Sequence, residues 1–232
     1  KLVFCLQGFA LSSDSAIRKR RLPLGRPFPK LNPATAWSSS AFADRFRGVD
    51  HGDHVAGTIF GAGNLNPDGE GQAPGASLAY YNYPDNLNSV DAHYNSFGVR
   101  ITASSYSNGC NAGYTAFTQQ MDQDIIQNYH LMHVFSAGNS GTSNCNYGAG
   151  AGWGNITGGQ KQGKNVIAVA NLQGNDAIAG SSSRGPAHDG RIKPDVSALG
   201  TNVFSCSSPN GYATLTGTSM ACPGTAGVLA QL

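Results

Sequence analysis

The chain has 232 residues and a net charge of +2, and only 12% of its residues are charged, about half of the ~25% usual in a soluble domain. Hydrophobic residues make up 40% of it, which is enough to build one sizeable core, so a single domain is expected. No run of about 18 apolar residues occurs, which excludes a membrane-spanning helix.

Charge and glycine are unevenly distributed. Residues 1–47 carry nine Lys and Arg residues against two Asp, a net charge of +7, whereas residues 48–232 carry six basic against eleven acidic residues, a net charge of −5. Of the 31 glycines, only Gly8 and Gly25 precede residue 48. We therefore divide the chain into an atypical basic N-terminal segment, 1–47, which is either non-native or strongly diverged, and a glycine-rich body, 48–232. A basic segment of this kind favours nucleic acid or an acidic membrane surface, whereas the body points elsewhere.

From residue 76 onward, short apolar runs alternate with longer segments of helical periodicity. The pattern predicts strands over 77–83, 99–104, 130–136 and 165–171, and helices over 86–97 and 114–129. Residues 221–232 form a further apolar segment that predicts a helix. Strands that alternate with helices of this length indicate β-α-β units, and so an α/β fold with a doubly wound parallel sheet. Ligand sites in such sheets lie in the loops that follow the carboxyl ends of the strands.

The five cysteines do not form a CxxC pair, so a structural zinc site has no support. Cys110 and Cys145 both lie in polar loop sequence and are the best candidates for a disulfide. Whether they are oxidised is left open, because the sequence does not identify the redox compartment.

Three segments carry residues suited to acyl-transfer chemistry. His51 stands directly before a Gly- and Ala-rich helical start, and Ser219 precedes the apolar segment 221–232. A serine at a helix N-terminus lies close to backbone N–H groups that stabilise a developing anion. Asn139 follows a buried strand in a glycine-flanked loop, where its amide is able to donate to an oxyanion. Together they supply a nucleophile, a base and an oxyanion donor.

With their flanking residues, these segments resemble the subtilisin-like serine proteases (subtilases, peptidase family S8), and most closely the secreted bacterial ones. The resemblance covers roughly residues 48–232 and rests on four motifs: His51-Gly-Asp-His-Val-Ala-Gly, Ser136-Ala-Gly-Asn-Ser-Gly, Ser183-Arg-Gly-Pro-Ala-His-Asp-Gly-Arg-Ile-Lys-Pro-Asp and Gly217-Thr-Ser-Met-Ala-Cys-Pro. It implies a three-layer, mostly parallel subtilisin-like fold and a secreted, monomeric endopeptidase that acts on proteins or peptides through an acyl-enzyme. It implies neither a nucleic-acid nor a membrane partner.

The resemblance also implies roles for individual residues. His51 would be the general base, Ser219 the nucleophile and Asn139 the oxyanion donor. The substrate-binding residues would be Ser105, Tyr106, Ser107, Ala137 and Gly138. Tyr106 and Ser107 depart from the Ser-Trp-Gly pattern usual in the family, which affects the expected shape of the substrate-binding edge. No cofactor is required for the chemistry, and structural calcium is common in the family, although the sequence assigns no ligands to it.

The triad acid is the role for which the sequence offers only an incomplete motif match. In subtilases it lies upstream, at the end of a buried strand in an Asp-Ser/Thr-Gly motif, and the nearest match is Asp14. Ala16 replaces the glycine of that motif, and a basic run follows at once. The rival interpretation is that residues 1–47 supply no triad acid. The chain would then be a catalytically impaired fragment that only binds peptides, and we also expect truncation at the C-terminus.

Asp53 and His54 pose a separate question. With His51 they form a pattern that invites a metal-dependent hydrolase, but a third and fourth ligand are not evident, so we predict no metal site. Asp53 stands where the family usually has threonine. We favour a role in the first turn of a helix, where a carboxylate stabilises the helix dipole, over a direct effect on His51.

Overall fold

The computed structural model describes residues 3–7, 51–81, 87–106, 109–110, 113–156, 158–207 and 211–232. Its strands are β1 (Val3–Gln7), β2 (Ser77–Tyr81), β3 (Val99–Ser104), β4 (Met132–Ser136), β5 (Ile167–Leu172), β6 (Val196–Leu199), β7 (Val203–Ser207) and β8 (Gly211–Leu215). Its α-helices are α1 (His51–Phe60), α2 (Val90–Phe97), α3 (Ala116–Gln127) and α4 (Thr218–Leu229).

Six strands form one sheet in the order β2-β1-β3-β4-β5-β6, and every neighbouring pair is parallel. Helices cover both faces of this sheet. On one face, α1 and α4 contribute Ile59 and Met220 to a core with Val134 of β4. On the other face, Met121 of α3 packs against Phe135 of β4. Because adjacent residues of a strand point to opposite faces, this arrangement confirms the predicted three-layer α/β fold.

Local sequence explains where the helices begin and end. Thr115 caps α3 by a capping box in which its side chain and that of Thr118 each accept a bond from the other residue's backbone N–H. Gly98 ends α2 in the left-handed conformation, with φ of 69°, which glycine adopts without steric cost.

The observed boundaries differ from the predicted ones by up to four residues at helix ends and by two residues at the starts of β4 and β5. α2 begins at Val90 rather than 86, because residues 87–89 form a 3-10 turn. α4 spans Thr218–Leu229. It therefore begins three residues before the predicted start at 221 and ends three residues before the predicted end at 232. β3 has the predicted bounds.

Three parts of the architecture were not anticipated, and one of them is β6, the strand that pairs with β5 at the edge of the sheet. β1 comes from the basic N-terminal segment and lies inside the sheet, paired with both β2 and β3. β7 and β8 form a separate antiparallel hairpin that packs on α1. Gly57 of α1 lies against this hairpin so closely that an added Cβ would be 2.6 Å from the Cβ of Cys206.

Cys110 and Cys145 form a disulfide that joins two loops, with a Cα–Cα distance of 5.2 Å. Cys206 and Cys222 are buried free thiols. Among the described helices, none combines the length and apolar character needed to cross a bilayer.

Candidate active site

The sheet has a topological switch point at β1. The chain places β2 on one side of β1 and β3 on the other, and ligand sites of parallel α/β sheets lie outside the carboxyl ends of the strands at such a point. Ser105, the residue after β3, hydrogen-bonds α4 from this position: its Oγ donates to the carbonyl oxygen of Ser219 at 3.0 Å.

Ser219 is the second residue of α4 and is partly exposed. Its Oγ lies 3.5 Å from the carbonyl oxygen of Ser105. Pro223 lies inside the helix four residues later. Because proline has no N–H, it cannot form the helical hydrogen bond to the Ser219 carbonyl, and the Ser105 hydroxyl takes its place.

Asn139 is held beside the same helix start. Its Oδ1 accepts hydrogen bonds from the backbone N–H and the Oγ1 of Thr218, both at 3.0 Å. The Thr218 hydroxyl in turn accepts from the Gly138 N–H at 3.1 Å. Since Thr218 occupies the amide oxygen, the Asn139 NH₂ group is the part that turns toward Gly217, where an added Cβ would lie 3.1 Å from Nδ2. An amide donor therefore lies next to Ser219.

His51 is the first residue of α1. One residue, Gln72, contacts later parts of both α1 and α4: its N–H donates to Thr58 at 3.0 Å, and its Cβ would lie 2.5 Å from a Cβ added at Gly227. Both helices therefore approach Gln72 near their C-terminal ends, and His51 and Ser219 stand in the first turns, at the N-terminal ends. Burial, with a smaller contribution from His54, lowers the pKa of His51 to about 4, so its imidazole is neutral at pH 7 and able to accept a proton.

His54 has a structural role. Its Nε2 faces the carbonyl oxygens of Val203 at 3.0 Å and Ala213 at 3.2 Å, one from each strand of the hairpin. Burial lowers the pKa of His54, so the neutral ring donates from Nε2 and ties α1 to β7 and β8. Asp53 is fully buried in the first turn of α1. Among the described residues, no group of three His, Cys, Asp or Glu side chains is arranged to hold a metal ion.

The predicted substrate-binding residues lie on two neighbouring segments. Ser105 and Tyr106 follow β3, and Ala137 and Gly138 follow β4. Gly138 has φ of 113°, and both its N–H and its carbonyl bond within the protein, to Thr218 and to the N–H of Ser183. Gly138 therefore supports the turn that carries Asn139.

Two predicted site residues, Asp14 and Ser107, lie outside the described residues. β1 ends at Gln7, which is paired with Ser104 at the end of β3. The strand end at the switch point therefore carries Gln7, and Asp14 comes seven residues later in the sequence.

Sequence reasoning missed Thr218 and Pro223, which build this site, and the buried Lys161 that lies beside it. The first two stand within the Gly-Thr-Ser-Met-Ala-Cys-Pro motif, whose preference for a hydroxyl and a proline was the available signal. Lys161 is fully buried, and its Nζ donates to the carbonyl oxygen of Tyr106. A single lysine in a polar loop gives no comparable sequence signal.

Comparison with known proteins identifies the same family from most of the sequence. The family model described as "Subtilase family" matches residues 38–232. The thermostable alkaline protease of Halalkalibacterium halodurans is 32% identical over 184 residues, which are 78% of this chain and 46% of that protein. Thermitase of Thermoactinomyces vulgaris is 30% identical over 80% of this chain and 61% of its own length. A solved psychrophilic protease is 25% identical, with a TM-score of 0.68 over 99% of this chain and 75% of that one.

Proposed function

Because this chain belongs to the subtilase family, we propose that it is a serine endopeptidase that cleaves peptide bonds through an acyl-enzyme. The chain spans about half of the length of the thermostable alkaline protease that it matches and 61% of thermitase. The observation that carries the proposal is the Asn139 amide, which Thr218 fixes next to Ser219 at the start of α4.

In this mechanism, the Ser219 Oγ attacks the carbonyl carbon of the scissile bond, and its proton passes to His51. The negative charge that forms on the carbonyl oxygen is stabilised by the Asn139 Nδ2–H and by the backbone N–H of Ser219 at the helix start. His51 then gives the proton to the leaving amine, and water cleaves the acyl-enzyme by the reverse sequence.

We assign the triad acid to Asp14. A carboxylate behind His51 would fix the tautomer of the ring and stabilise the imidazolium that forms during attack. It would also oppose the burial that lowers the pKa of His51 to about 4.

We also propose that the protein is secreted and acts as a monomer on protein or peptide substrates. The Cys110–Cys145 disulfide supports an oxidising compartment. The chemistry needs no cofactor, and any calcium would have a structural role.

The direct test is covalent labelling of Ser219. A phosphonofluoridate added to the folded chain is expected to modify Ser219, located by peptide mass mapping, and to abolish hydrolysis of casein. Ser219→Ala is the control and is expected to take no label. A folded preparation that takes no label at Ser219 contradicts the proposed function.

A further inference from the structure

Two buried lysines of the described structure have no part in the mechanism: Lys193, which is paired with Asp195 at 2.7 Å, and Lys161. Lys161 belongs to a 3-10 turn, Gln160–Gln162, and its side chain has 0% exposure. Its Nζ donates to the carbonyl oxygen of Tyr106 and lies 5.5 Å from the centre of the Tyr106 ring. The Oγ of Ser136 reaches the same carbonyl oxygen at 3.4 Å. This carbonyl therefore has side-chain donors from two other segments.

The position of Tyr106 in the fold explains why those donors matter. The ladder between β3 and β4 ends at the pair Ser104 and Phe135, so the chain leaves the sheet from Ser105 onward. Beyond that point, backbone pairing with β4 no longer fixes the chain. The ring of Tyr106 packs edge-on against Phe135 at 6.3 Å, and its carbonyl is held by Lys161 and Ser136.

The same segment contacts the nucleophile. Ser105 donates to the Ser219 carbonyl at 3.0 Å, and the Ser219 Oγ lies 3.5 Å from the Ser105 carbonyl. A displacement of Tyr106 would thus move Ser105 relative to Ser219. A hydrogen bond from an ammonium group is stronger than one between neutral groups, so Lys161 contributes much of the restraint.

We propose that Lys161 is a positioning residue for the substrate-binding edge: its bond to the Tyr106 carbonyl holds residues 105 and 106 where a peptide substrate pairs beside Ser219. The inference rests on the proposed function and deepens it. Lys161 does not itself touch the substrate, and it acts through Tyr106 and Ser105. Burial lowers the pKa of Lys161 to about 7. Cys222 of α4 is the titratable group that acts on the Lys161 amine, and its own thiol is neutral because burial raises its pKa to about 11.

The test compares a reaction that depends on Ser219 and His51 with one that also depends on the substrate-binding edge, residues 105 and 106. A small phosphonofluoridate needs Ser219 and His51 but makes few contacts with the edge, whereas an extended peptide needs both. In Lys161→Met, we expect the labelling rate of Ser219 to stay within about twofold of the parent. At pH 6, below the pKa of about 7 that burial gives Lys161, its amine is charged, and we expect KM for an extended peptide to rise about tenfold, which is the loss of one hydrogen bond from a charged donor. Lys161→Arg keeps a cationic donor and is expected to recover most of the loss.

Two further variants complete the design. Lys164→Met removes an exposed lysine three residues away and is expected to change neither rate. Ser136→Ala removes the second donor to the Tyr106 carbonyl and is expected to raise KM less than Lys161→Met does; it also serves as the test if Lys161→Met fails to fold.

The outcomes are distinguishable. If the parent takes no label at Ser219, the proposed function and this inference both fail. If the parent is labelled and neither Lys161→Met nor Ser136→Ala raises KM, only the inference is overturned. It is also overturned if labelling and peptide hydrolysis fall equally in a variant that keeps the parent's melting temperature, since Lys161 would then act on the nucleophile.

Discussion

The pH dependence of Ser219 labelling tests the assignment of the triad acid. His51 must be neutral to accept the Ser219 proton, so the labelling rate falls as the pH drops through the pKa of His51. Burial and His54 lower this pKa to about 4. A carboxylate close to the ring would raise it by about 1–3 units. If Asp14 acts on His51, the acid limb of the parent is therefore expected between about pH 5 and 7.

The perturbation is Asp14→Asn, which removes the charge and keeps the size of the side chain. We expect the acid limb to move down to about pH 4. For a limb at pH 6, about a quarter of His51 is neutral at pH 5.5, whereas for a limb at pH 4 about 97% is neutral. At pH 8, kcat for casein hydrolysis, measured in parallel, is expected to fall by about 10⁴-fold, a magnitude known from other serine proteases, subtilisin included.

The assay is the second-order rate of phosphonofluoridate labelling between pH 4 and 9. Asp68→Asn, at an exposed position in a 3-10 turn, is the matched control for the loss of one negative charge. If the parent already has its acid limb near pH 4 and Asp14→Asn changes neither limb nor rate, Asp14 is not the triad acid. Such a result would leave the assignments of Ser219 and His51 intact.

Three other predictions address the site and its support. Asn139→Leu removes the proposed side-chain oxyanion donor and is expected to lower kcat by about 10²–10³-fold with little change in KM. This magnitude is the one known for loss of the oxyanion amide in subtilisin, a relative of this chain. A rise in KM as large as the fall in kcat would contradict the assigned role. Thr218→Val deletes the hydroxyl that bonds both Asn139 and the buried Gly138 N–H, so the free energy of unfolding in urea is expected to fall by about 1–3 kcal/mol, and kcat to fall with it. Thr218→Ser is expected to restore both. If Thr218→Ser restores neither the stability nor kcat, the hydrogen-bond explanation is wrong. The Cys110–Cys145 disulfide spans a sequence separation of 35 residues. When both cysteines are changed to Ser, the chain-entropy model predicts that the free energy of unfolding in urea falls by up to about 4 kcal/mol. An unchanged urea midpoint would show that the disulfide does not stabilise the fold.

The sequence predicted the sheet best where strands and helices alternate regularly. β3 follows directly on the Gly98 that ends α2, and its six residues, Val99–Ser104, are almost all buried, so both of its ends were visible in the pattern. β1 was missed because Val3–Gln7 is a short run without alternation inside a strongly basic segment. Only its pairing with β2 and β3 identifies it as an inner strand.

The same distinction applies to the candidate site, where residues in short motifs could be predicted from sequence and contacts between distant parts of the chain could not. Ser219, His51 and Asn139 could be predicted as site residues because each stands in a short motif rich in small residues. The role of His54 was not available from sequence, because its partners Val203 and Ala213 are about 150 residues away. The spacing of His51 and His54 had raised a metal site as an alternative, whereas the position of the hairpin assigns His54 to backbone carbonyls.

Pro223 shows how a locally unfavourable residue contributes to the site. A proline inside a helix removes one hydrogen bond and costs about 3 kcal/mol or more in isolation. Here the carbonyl that loses its donor is that of Ser219, and the Ser105 hydroxyl replaces the missing N–H at 3.0 Å. This hydrogen bond from Ser105 to Ser219 joins the end of β3 to the start of α4. In a regular helix the Ser219 carbonyl would accept from a backbone N–H of the helix instead. The break in the helical bonding pattern therefore provides a hydrogen bond that fixes the predicted substrate-binding edge against Ser219, the proposed nucleophile.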